Sequence, residues 1–209
     1  MGKASRKKGP VKARPRRGST GFIVAVVVIL AVGIGLIAMA KNGPRGSAAG
    51  ERPGLNDHWH AAYVVDLCGT NEPNLTQPDK LIGVHTHSDG LIHVEPYVTG
   101  SVLDRGSNAT LARFAEGEPG FRITSSEVQV PGGHLMKNGD KCDGVTPGKV
   151  IIRQWPDATK EAFKDYTNPK DVKILDGSAI TVAFVPPGSA IGKPPSIGNL
   201  ANPNAGEAG

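Results

Sequence analysis

The sequence predicts an α+β fold: a single transmembrane helix followed by a compact mixed-sheet extracytoplasmic domain. Three observations carry this. Residues 22–40 are 19 consecutive uncharged, apolar positions, a length of about 28 Å at helical rise, close to a hydrocarbon core. Between 57 and 186, short alternating strand patterns mix with short helical ones without regular βαβ alternation. Gly- and Pro-rich stretches bound that region on both sides.

Taken in order, residues 1–21 form a basic tail with Lys3, Arg6, Lys7, Lys8, Lys12, Arg14, Arg16 and Arg17, and no acidic residue precedes Glu51. The positive-inside rule therefore places the N-terminus in the cytoplasm and the C-terminal domain outside a cell membrane, as a single-pass protein in the lipid bilayer. The rival reading is a signal peptide cleaved after Ala38-Met39-Ala40. Beyond residue 40 the balance of charge is −3, although the whole chain carries +5. The basic tail orients a helix, so no nucleic-acid partner is expected. Residues 41–56 read as a flexible stalk and 187–209 as a disordered tail.

Within 57–186, HWHAAYVVDL (58–67) alternates as a strand, with His58, His60, Ala62 and Val64 on one face and Trp59, Ala61, Tyr63 and Val65 on the other. LIGVHTH (81–87) and LIHVE (91–95) form a hairpin through Ser88-Asp89-Gly90, with Gly90 in the left-handed position. Asn108 can cap a helix over 109–116, which presents Leu111, Phe114 and Ala115 inward. Strands are expected at 121–130, 149–155 and 179–185, and a short helix at 157–166.

Five of the six histidines lie between 58 and 93. The hairpin register puts His85 opposite His93 and aligns His85, His87, His93 and Glu95 on one face, with opposed Cβ atoms about 5 Å apart. That arrangement is a metal-site pattern: His85, His87 and His93 as ligands for zinc or copper, His58 or His60 completing or flanking them, and Asp89 or Glu95 orienting an imidazole from behind. His134-Leu135-Met136 offers copper a thioether, though a lone H-x-M in a loop is weak. Cys68 and Cys142 pair as a disulfide outside the cytosol, with thiolate metal ligation as the alternative.

The strings HWH, HTHSDGLIHVEPY and NATLARFAEG resemble an uncharacterised family of exported bacterial and archaeal proteins whose pattern is H-W/A-H, H-T-H-x-x-G-x-I-H-x-E-x-P and T-L-x-x-F-F. Residues 149–188, KVIIRQW through KILDGSAITVAFVPPG, are similar to the end of β-grasp domains. The resemblance covers about 58–186. It matches His58, His60, His85, His87, His93, Glu95, Pro96, Thr110, Leu111 and Phe114, and departs at Ala115 and Ser178. It implies a β-grasp-like fold and an exported location, and no particular activity.

No H-E-x-x-H, G-x-S-x-G or phosphate-binding glycine loop is present. A metal-binding domain is the leading reading. An interaction module for other envelope proteins, with structural histidines, is the second, and a metal-dependent hydrolase using Glu95 or Asp89 as base is the third.

Overall fold

The computed structural model describes residues 20–42 and 51–203. The chain divides into two units, Met1–Pro44 and Arg45–Gly209.

In the first unit, α1 is a helix over Thr20–Asn42. Among the described residues, no helix is long and apolar enough to cross a membrane. This corrects the expectation of a transmembrane helix over 22–40. The basic leader before Thr20 lies outside the described residues.

The second unit is α+β around a mixed sheet. Its strands are β1 (Trp59–Leu67), β2 (Thr70–Asn71), β3 (Val84–His85), β4 (Leu91–Val94), β5 (Arg122–Ile123), β6 (Glu127–Gln129), β7 (Met136–Lys137), β8 (Lys149–Trp155), β9 (Lys164–Tyr166) and β10 (Ser178–Val185). The main sheet has the order β3-β4-β1-β10-β8-β9, with β2 also on β1, and β5-β6-β7 form a second sheet. The central pair β1 and β10 runs parallel, and the other neighbours are antiparallel.

Side-chain alternation sends Trp59, Ala61, Tyr63 and Val65 of β1 into the larger core, with Phe114, Phe121, Ile152, Ile180 and Phe184. The helix α2 (Leu111–Gly117) covers that face with Leu111 and Phe114. Its cap is Thr110, not Asn108: Thr110 has extended backbone and its Oγ1 accepts the Arg113 N–H at 3.1 Å. Asn108 instead donates to the Val102 carbonyl.

The opposite face carries Ala62, Leu91, Ala179 and Ala183. These small side chains leave room for the segment after β10, which was expected to be a disordered tail. Ile191 is buried there, Ile197 and Leu200 pack beside it, and Pro195–Ala201 forms a 3-10 helix. The expected stalk behaves likewise at its end, where Pro53 is buried and its carbonyl accepts the Gly106 N–H.

Residues 157–166 are not a helix. Ala158 and Phe163 are spaced by five, which makes no helical stripe, and β9 instead pairs with β8. Arg153 bridges them, donating twice to Asp165 and resting 3.8 Å over the Phe163 ring. The stretch 121–130 is a hairpin of β5 and β6 rather than one strand, because Thr124 Oγ1 accepts the Ser126 and Glu127 N–H groups and turns the chain. Cys68 and Cys142 form the expected disulfide, tying the end of β1 to the loop before β8. Both cysteines are therefore unavailable as thiolate ligands.

Candidate metal centre

The histidines lie on the sheet face covered by the C-terminal segment. His60 on β1 pairs with His93 on β4, and His93 pairs with His85 on β3, so one row of imidazoles crosses three strands. His85 and His93 are fully buried and His60 is 9% exposed. His58 is partly exposed at the rim of the row, with the Tyr97 ring 6.3 Å away, and His87 is partly exposed beyond β3.

Several elements hold this row in register. Gly90 has φ +78° and a Cβ there would meet Ser196 Cβ at 2.7 Å, so both backbone and packing require glycine. Ser196 Oγ donates to the Gly90 carbonyl at 2.8 Å and Asn199 Nδ2 to the Asp89 carbonyl at 2.7 Å. The C-terminal segment thus grips the histidine hairpin. At the start of β1, the His60 N–H donates to Asp176 Oδ1 at 3.0 Å. Under β3, buried Asp104 accepts from the Gly83 N–H, from Arg113 Nε at 2.7 Å and from the Thr99 hydroxyl. The Glu95 N–H donates to the Gly83 carbonyl, and the buried Glu118 carboxylate accepts the Thr86 N–H between His85 and His87.

The ligand atoms fall into two groups, His58 with His60 and His93, and His85 with His87 and Glu95, each within 4.8 Å internally. The sequence reading joined His85, His87 and His93 instead. His93 is directed otherwise because its Nε2 donates to Asp89 Oδ2 at 2.9 Å, leaving Nδ1 toward the first group. Asp89 thereby orients an imidazole, and its Oδ1 also accepts the Leu91 N–H at 2.9 Å. Burial pushes the Asp89 carboxyl up, but the hydrogen bonds from His93 and Leu91 outweigh it and hold it below the usual range.

Glu95 lies among the ligand atoms rather than behind them. Its Oε1 is 2.6 Å from His58 Nε2, and its Oε2 is 3.9 Å from His85 Nε2. In the second group, His85 Nδ1 lies 2.6 Å from the Ile82 carbonyl, which only accepts, so Nδ1 carries the hydrogen. His87 Nδ1 faces Gln77 Oε1 at 3.3 Å. The two Nε2 atoms then face each other at 3.0 Å. In the first group, buried His60 Nε2 has no hydrogen-bond partner among the described residues. Burial, reinforced by His93 and His58, pulls His60 down to about 3. Burial likewise pulls His85 down to about 4 against the opposing Ile82 carbonyl and Glu95. Both rings are neutral at pH 7, the form that ligates metal.

His134 is exposed before β7, outside both groups, and Met136 packs against the larger core, so neither offers a ligand to this face. The surface groove lined by Ala112, Phe121 and Lys170 contains no histidine. Gln77 and Tyr97 border the site without any signal in sequence spacing. The intragroup role of Glu95 was within reach, since it shares strand parity with His93. No family model, curated protein or solved structure matches the chain.

Proposed function

We propose that this domain binds a divalent transition metal, zinc or copper, through its histidine face, on the oxidising side of a membrane. The observation that carries the reading is the pair His85 Nε2 and His87 Nε2, 3.0 Å apart. His85 Nδ1 donates to the Ile82 carbonyl, so His85 Nε2 presents a lone pair toward His87. That lone pair either accepts an N–H from His87 or ligates a cation. Two imidazoles on one tetrahedral ion at about 2.05 Å place their nitrogens about 3.3 Å apart, a small relaxation from the distance seen. Nitrogen and carboxylate donors without sulfur suit Zn²⁺ or Cu²⁺ rather than Cu⁺. The Cys68–Cys142 disulfide supports an extracytoplasmic location.

The test uses full-length protein without a histidine tag, stripped by chelation and titrated with Zn²⁺ and Cu²⁺ in a calorimeter. His87→Ala removes a partly exposed ligand, so folding survives, and affinity is expected to fall on the order of 100-fold. His134→Ala is expected to bind as the wild type does. A wild-type protein that binds neither ion more tightly than His87→Ala overturns the reading.

A further inference from the structure

We infer that the histidine face is a two-ion centre, with Glu95 as the bridging carboxylate between His58, His60 and His93 on one side and His85 and His87 on the other. The inference rests on the metal-binding reading and adds number and connection to it. A tetrahedral ion takes four ligands, and six residues offer ligand atoms here. Ligands of a single tetrahedral ion lie about 3.4 Å apart, whereas the ligand atoms form two clusters, each compact within 4.8 Å. The His85 and His93 rings stack with centroids 6.0 Å apart, one in each group.

Each group has its own donors. In the first, His60 Nε2 is buried without a hydrogen-bond partner among the described residues. In the second, the Nε2 atoms of His85 and His87 face each other. One ion in either group leaves the other as it was.

Glu95 belongs to both groups through different oxygens. Oε1 lies 2.6 Å from His58 Nε2 and 3.9 Å from His93 Nδ1, while Oε2 lies 3.9 Å from His85 Nε2. A carboxylate presenting one oxygen to each of two ligand sets is the bridge that holds two cations about 3.5–4 Å apart. Its negative charge lies between them and offsets their repulsion, with Asp89 adding a second negative charge behind His93. Glu95 is itself held in place: it is buried, and its N–H is bonded to the Gly83 carbonyl. Each group also has one partly exposed histidine, His58 and His87, so each ion has a route in and a side open to water.

The experiment measures stoichiometry and coupling on the full chain. Stripped protein is equilibrated with excess Zn²⁺, desalted and assayed for zinc by mass spectrometry, and a parallel sample with Cu²⁺ is examined by electron paramagnetic resonance. Two ions per chain are expected, and the two Cu²⁺ ions should show a half-field transition from magnetic coupling. Glu95→Gln should remove that transition and weaken the second binding step at least tenfold, with the Cys68–Cys142 bond and circular dichroism unchanged. If that variant does not fold, the wild-type count and the half-field signal decide the matter alone. One ion per chain at saturation overturns the two-ion centre and leaves metal binding standing. No bound ion overturns both, and two ions without magnetic coupling overturn the bridge.

Discussion

Replacing Glu118 by glutamine should make the domain more stable at neutral and alkaline pH and change little in acid. Glu118 follows α2 and is 3% exposed, with Oε1 accepting the Thr86 N–H at 3.2 Å. Burial raises its pKa from 4.5 to about 7, against the opposing Thr86 hydrogen bond. The folded chain therefore keeps a proton that the unfolded chain releases near 4.5. Between those values the folded state binds more protons, so this contribution to stability is complete below 4.5 and is lost as pH rises to about 7. At 1.36 kcal/mol per tenfold, the loss approaches about 3 kcal/mol. Glutamine keeps an oxygen for the Thr86 N–H and does not ionise. Urea unfolding of both proteins with EDTA, at pH 4 and pH 8, gives the difference between variant and wild type at each pH. That difference should grow by about 3 kcal/mol from acid to alkaline. His60 and His85 titrate in the opposite sense, since their depressed values favour protonation of the unfolded chain below 6.5, but they are common to both proteins and cancel. A difference independent of pH would refute the assignment of a buried, proton-holding carboxyl to Glu118.

Two further perturbations probe the frame. Cys68→Ala with Cys142→Ala opens a loop of sequence separation 74 and should lower stability by about 4 kcal/mol in the chain-entropy account, on the order of 10 °C in melting temperature; a loss under 1 kcal/mol would mean that the bond constrains little. Ile191→Ala, at a buried position on the segment covering the histidine face, should cost about 2 kcal/mol or more by urea unfolding, whereas a dispensable tail would show a change within about 0.5 kcal/mol.

Local pattern alone determined the two faces of β1, the strands at 149–155 and 179–185 and the left-handed Gly90, because alternation and turn chemistry act over a few neighbouring residues. The cysteine pairing followed from there being two cysteines and from the export expected of the chain. The sequence also showed that the histidines of the hairpin share a face. What it could not show was their partition. That depends on His60 of β1 meeting His93 across a strand pairing distant in sequence, and on Asp89 turning His93 away from His85. The same limit explains the other differences. Residues 187–203 look like linker by composition, yet the alanines at 62, 179 and 183 leave a shallow sheet face that Ile191 fills. Residues 157–166 have helix-favouring composition but are drawn to the sheet edge by Arg153 and the pairing with β8. The apolar composition of 22–40 suggested a membrane span, while among the described residues no helix is long and apolar enough to cross a membrane. Composition and period report what a segment can do by itself. Which segment covers which face, and which imidazoles share a centre, is decided by contacts between residues far apart in the chain.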